Sequence, residues 1–179
     1  CPLHQTRIHV VFGQGPVPCK LMCIGEGPGA DEDRQGIPFV GRAGQLLTKM
    51  LSAIDIQRPD DVYITNTVKC RPPENRTPGE QEIKACHDYL LKQLIEVQPQ
   101  VIILLGSPAL KTILNPEASI SKMRGRWHTI QTDYQPDPVH VMPLFHPSYL
   151  LRNSSSAAHS PKWHTWQDLK EIRRKLLEL

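Results

Sequence analysis

No apolar run in the 179-residue chain approaches the roughly 20 residues that a membrane-spanning helix requires, and no leader pattern opens it. A membrane partner is therefore not expected, and a cytoplasmic protein is. Internal repeats and low-complexity tracts are also missing, which argues against a solenoid or a disordered linker. Charge of one sign is scarcely in excess. A net charge of +3 permits nucleic-acid binding but leaves the placement of the charges to decide it. Aromatic residues are few, with only three phenylalanines. Proline is the opposite case: seventeen are scattered along the chain, the pattern of many ordered loops. The length suits one domain, residues 1–179, with a real core, and a monomer is expected. The chain opens on Cys1 instead of Met, which suggests an N-terminus trimmed from something longer.

What is present is organised around residues 23–33. The apolar run Leu21-Met22-Cys23-Ile24 breaks into Gly25-Glu26-Gly27-Pro28-Gly29, and the acids Asp31, Glu32 and Asp33 follow. This is the profile of a buried strand running into a loop whose backbone must approach something closely. A tight strand-to-helix turn with no ligand is the alternative. Further strands are predicted at residues 8–12, 62–66, 101–105 and 139–145. Helices are predicted at 43–54, 78–97, 109–114 and the C-terminus, with Leu91 and Trp166 among their core-facing residues. Apolar strands alternating with helices predict an α/β fold: a three-layer α/β/α sandwich with a central four-stranded, mostly parallel sheet. In such a sheet the polar loops after each strand gather along one edge, where ligands bind.

Five cysteines stand at positions 1, 19, 23, 70 and 86. Cys19 and Cys23 read as one strand, which separates them by roughly 13 Å, too far to hold one small metal centre. They are expected to be core or edge residues. Cys1, Cys70 and Cys86 lie on loops and a helix and can converge, but three thiolates fall one short of a four-cysteine site.

The loops together resemble a known family. The segments Gly25–Gly29 with their acids, Pro38-Phe39-Val40-Gly41-Arg42-Ala43-Gly44-Gln45, Thr65-Asn66-Thr67-Val68-Lys69-Cys70-Arg71-Pro72-Pro73-Glu74-Asn75-Arg76 and His146-Pro147-Ser148-Tyr149-Leu150-Leu151-Arg152-Asn153 are similar to those of the family 4 uracil-DNA glycosylases. The likeness covers nearly the whole chain, in the family's order and spacing. It implies a monofunctional glycosylase of base excision repair that flips uracil out of single- or double-stranded DNA and hydrolyses its N-glycosidic bond. A non-catalytic iron–sulfur DNA-binding protein of the same fold is the alternative. The resemblance also implies a [4Fe-4S] cluster held by Cys1, Cys70 and Cys86, with the first ligand three residues upstream of Cys1. His4 as a stand-in ligand is the other option.

Within that resemblance the residues take physical roles. Asn66 carries an amide that can donate to uracil O4 and accept from N3–H, and cytosine presents the opposite pattern. Phe39 stacks on the base, and Gly27 and Pro28 bring backbone against it. His146 donates to O2 as negative charge builds there, with Ser148 beside it. In the related family 1 enzymes an aspartate of the first loop positions the water. The matching position here is Gly27, which leaves Glu26 and Asn75 as helpers and Glu32 to bind or close the pocket. Leu150 and Leu151 suit a wedge filling the gap left by the flipped nucleotide, with Arg152, Arg42 and Arg71 on DNA. Arg76, Arg124, Arg126 and Lys162 are further candidates for a cationic face. A phosphate-binding loop is disfavoured, because Asp31, Glu32 and Asp33 would repel phosphate and no lysine follows the glycines.

Overall fold

The computed structural model describes residues 1–179. Its sheet has the order β2-β1-β3-β5-β4, with β1 at Leu21–Gly25, β2 at Tyr63–Asn66, β3 at Val101–Leu105, β4 at His128–Ile130 and β5 at Val139–Leu144. The four central strands expected from the sequence are all present and mutually parallel. The fifth, β4, pairs antiparallel with β5 at the sheet edge. It escaped the sequence because it is three residues long, partly exposed and without an apolar run.

The layers follow from strand periodicity. Successive side chains of a strand point to opposite faces. Accordingly Val101, Ile103 and Leu105 of β3 enter one core cluster, and Ile102 and Leu104 enter the other. The first cluster is closed by α2 (Arg42–Ser52), α6 (Pro147–Arg152) and α7 (Pro161–Glu178), through Leu47, Leu51, Leu150, Leu169 and Ile172. The second is closed by α3 (Glu80–Val97) and α4 (Ser107–Ile113), through Leu90, Leu94 and Leu110. Two short helices, α1 (Ala30–Gln35) and α5 (Ile120–Met123), complete the list.

Three local expectations are corrected. Residues 8–12 are no strand: Ile8, Val10 and Phe12 are exposed, and the segment is pinned by Val11 N–H donating to the Lys69 carbonyl at 2.8 Å. A single bridge between Gln14 and Ile64 is all that reaches the sheet, because Gly13, Gly15 and Pro16 interrupt any ladder. Leu91 and Trp166 are each 42% exposed, since each lies off the stripe formed by its buried helical neighbours. Finally, residues 147–152 form a helix, started by Pro147 at its first turn with His146 as N-cap.

Candidate active site

The carboxyl ends of β1, β2 and β5 converge on a cavity of about 320 Å³, near the lower end of the small-molecule range. Glu26, Gly27, Pro28, Glu32, Phe39, Asn66, Asn75, His146 and Ser148 all line it, so every pyrimidine-pocket residue expected from the sequence meets here.

Asn66 ends β2 at 1% exposure, and its Oδ1 has no hydrogen-bond partner. A buried acceptor left unpaired costs about 1–3 kcal/mol, so a donor delivered by a ligand would recover that energy. The neighbouring strand makes room for the amide. A Cβ at Gly25 would stand 2.5 Å from Asn66 Oδ1 and 2.6 Å from Phe39 Cζ, so only glycine fits there.

Phe39 closes the pocket with its backbone at φ 53°, a left-handed conformation that non-glycine residues seldom adopt. Two features hold it. Arg58 donates to the carbonyls of Phe39 (2.6 Å) and Pro38 (2.7 Å). Gly44 lets helix α2 sit directly beneath, because a Cβ there would lie 1.9 Å from the Phe39 carbonyl oxygen. The Phe39 ring stands 5.9 Å, centroid to centroid, from the His146 ring. Arg58 was not recognised in the sequence. Its role rests on a contact 19 residues away, which no local pattern announces.

The tautomer of His146 follows from its neighbours. The Ser148 main-chain N–H donates to Nδ1 at 3.2 Å, and the Ser148 hydroxyl lies 2.8 Å from the same atom. An N–H can only donate, so Nδ1 is the acceptor and the ring proton sits on Nε2. Burial first, then the Arg152 charge, pushes His146 down to about 4, so the ring is neutral at neutral pH.

The acids divide sharply. The Glu32 carboxylate accepts from the N–H groups of Gly29 (3.1 Å), Val40 (2.9 Å) and Gly41 (2.8 Å). It is spent on tying the Gly-rich loop to the Phe39 loop. Glu26 has no such ties; burial raises its carboxyl pKa, with a hydrogen bond to Thr77 opposing the shift. Asn75 stands on an exposed turn with its Oδ1 accepting from Arg71 Nε at 2.7 Å. A side chain at Gly27 is blocked, because a Cβ there would meet Val68 Cγ2 at 2.8 Å.

The proposed DNA contacts need correction. Leu150 is 2% exposed and belongs to the core, because adjacent residues of helix α6 diverge and only Leu151, at 37%, turns outward. Arg124 is bound to buried Asp168, and Arg76 is paired with Glu82 at 2.7 Å. Arg42 and Arg152 are exposed and in no ion pair, and Arg71 holds Asn75. A groove of about 930 Å³ opens from the pocket past His146 and Ser148 and carries Lys84, Lys111 and Arg152. Lys84 and Lys111 were overlooked, since each reads as an ordinary solvated helix charge.

Cys1, Cys70 and Cys86 line a second cavity of about 410 Å³, together with His4, Arg7 and Lys69. Cys19 and Cys23 lie elsewhere, in the two core clusters, and burial pushes the Cys23 thiol up to about 12. Arg7 donates to Cys70 Sγ at 3.0 Å. His4 turns Nδ1 to the Cys1 carbonyl at 2.7 Å. The thiols are not gathered closely enough to chelate one metal ion, but they surround a volume suited to a body with several metal atoms.

Comparison with known proteins agrees with this geometry. The family model described as the uracil DNA glycosylase superfamily matches residues 12–170. The type-4 uracil-DNA glycosylase of Thermotoga maritima is 48% identical over 157 residues, covering 87% of this chain and 79% of that protein. That of Archaeoglobus fulgidus is 42% identical over 155 residues, covering 84% and 76%. That of Sulfurisphaera tokodaii is 42% identical over 157 residues, covering 86% and 70%. With its Gly-rich loop, strand-end asparagine and His-Pro-Ser helix cap gathered round one pocket, the chain belongs to the uracil DNA glycosylase superfamily, in its type-4 group.

Proposed function

We infer that the protein is a uracil-DNA glycosylase acting in base excision repair, and that the pocket under Phe39 takes the flipped uracil. The unpaired buried Oδ1 of Asn66 carries this reading. Uracil brings an N–H donor to that oxygen, and cytosine, with an acceptor at N3, does not. Phe39 offers a face to the base.

The chemistry asked of the remaining residues is modest. The C1′–N1 bond breaks with its electron pair leaving on uracil, and water forms the new bond to C1′. The Nε2–H of neutral His146 donates to O2 where the charge develops, which suits an anionic leaving group better than a fully ionised partner shared with solvent. Of the two carboxylates lining the pocket, Glu32 is consumed by loop amides, which leaves Glu26 to orient the water and accept its proton. Leu151 fills the gap in the stack, and Arg152, Lys84 and Lys111 take backbone phosphates along the groove.

Cys1, Cys70 and Cys86 suit a [4Fe-4S] cluster, with a fourth ligand from outside these three. When bound, it supplies cross-linking of the N-terminal segment, the loop after β2 and α3. The test is release of free uracil from a uracil-containing oligonucleotide by cluster-loaded protein. DNA binding without release would contradict the enzymatic reading and return the non-catalytic one.

A further inference from the structure

The acids buried in this molecule are compensated: Glu82 by Arg76, Asp168 by Arg124, and Asp33 by the N–H groups of Ile8 and His9. Lys69 differs. It is 3% exposed and joins no carboxylate. Its three N–H bonds go to neutral oxygens: Thr65 Oγ1 at 2.8 Å, the main-chain carbonyl of Asn66 at 2.7 Å, and Gln93 Oε1. These acceptors are themselves locked. The Thr65 hydroxyl donates to the Phe12 carbonyl at 2.7 Å, and Gln93 Nε2 donates to the same carbonyl at 2.8 Å.

Two aspects of the placement matter. β2 is the edge strand, and beyond the last paired residues, Gly25 and Asn66, the ladder offers the Asn66 carbonyl no strand partner. The Lys69 ammonium is what holds that carbonyl. Lys69 also lines the cysteine cavity, next to Cys70 in the chain and together with Cys86. A buried amine is costly unless its donors are satisfied, and all three of these are.

We propose that Lys69 is a positioning residue whose three donors, fixed on Thr65, Gln93 and the Asn66 carbonyl, clamp the Asn66 main chain and so fix the amide that reads the base. This rests on the uracil-pocket reading above. Releasing the clamp frees the peptide at the end of an edge strand, and the amide loses its single orientation. The consequence is lost discrimination between uracil and cytosine, with DNA affinity kept.

The experiment uses cluster-loaded protein and oligonucleotides carrying 2′-fluoro-2′-deoxyuridine, 2′-fluoro-2′-deoxycytidine or an abasic analogue; the fluorine disfavours the oxocarbenium-like state and blocks cleavage. In Lys69→Met with wild-type iron content, the preference for uracil over cytosine falls ~10-fold or more, and affinity for the abasic analogue is unchanged. Lys69→Met with full iron and wild-type preference overturns the clamp. Where Lys69→Met loses iron, Thr65→Val, which deletes one acceptor, decides: a fall of ~3-fold or more at unchanged iron supports the clamp, and no fall overturns it. Asn66→Ala separates the two layers. Preference lost there but kept in Lys69→Met sinks only the clamp, whereas preference kept in both sinks the pocket reading itself.

Discussion

The two cavities at the end of β2 are only four residues apart along the chain, Asn66 on one and Cys70 on the other, yet they are built on opposite principles. The base pocket is made of neutral groups with fixed orientations: an amide with one open acceptor, an imidazole with a determined tautomer, and a ring held in a left-handed backbone. Of its two carboxylates, Glu32 is spent on three loop amides, and burial raises the pKa of the other, Glu26. The cysteine cavity instead sets two cations, Arg7 and Lys69, against thiols. Burial pushes Lys69 down to about 7, with the charge of Cys86 pulling the other way. On the proposed reading the first site discriminates by hydrogen-bond pattern, whereas the second gathers cations beside thiols. Substitutions that preserve shape should therefore be ruinous in the first only when they change donors and acceptors, and in the second only when they change charge or ligation.

The largest effect is expected at the pocket's two polar readers. Asn66→Ala and His146→Ala should each lower single-turnover uracil release by ~100–1,000-fold, the usual loss on removing a preorganised donor, with iron content unchanged. A loss under tenfold in either would dissolve the contrast between the two cavities. Next comes the acid limb of the rate. His146 is held neutral down to about 4, so the limb belongs to Glu26, whose carboxyl is raised by burial. In Glu26→Gln the residual rate should be low and flat from pH 7 down toward that value. A limb unchanged from wild type would remove Glu26 from the mechanism. Stability carries the complementary sign. Between pH 6.5 and about 4 the unfolded chain binds a proton that native His146 refuses, so stability falls as pH falls through that window, and His146→Asn should flatten the slope.

Smaller effects sharpen the geometry. Phe39→Leu keeps an apolar side chain but loses the stacking face, so KM for the oligonucleotide should rise ~10-fold with kcat less affected. The leucine pair offers an internal control. Leu150→Ala opens a core cavity and should cost about 2–5 kcal/mol in chemical denaturation. Leu151→Ala should leave stability within ~0.5 kcal/mol and weaken duplex activity several-fold, since that residue alone of the two faces outward.

Much of this was legible in the sequence because the informative residues are local in the chain. The run from β1 into Gly25–Gly29, the strand end at Asn66 and the His146-Pro147-Ser148 cap each declare a strand finishing in a polar loop, and parallel topology then brings those ends together. What was not legible depends on long-range contact. Arg58 reaches the Phe39 loop, Glu32 ties two loops, and Lys69 is buried against Gln93 of α3. A periodicity argument sees each of these as an isolated charge. Leu150 was misplaced for a related reason: a loop reading allows both leucines outside, and a helix forces them apart.

The base pocket turns on a single atom, the Asn66 Oδ1 left without a donor. The most direct test is a crystal structure with an uncleavable 2′-fluoro-2′-deoxyuridine oligonucleotide bound. Uracil N3 should stand about 2.9 Å from that oxygen, with O2 facing His146 Nε2. A flipped uracil that leaves Asn66 Oδ1 unpaired, or that lodges outside the Phe39 pocket, would contradict it.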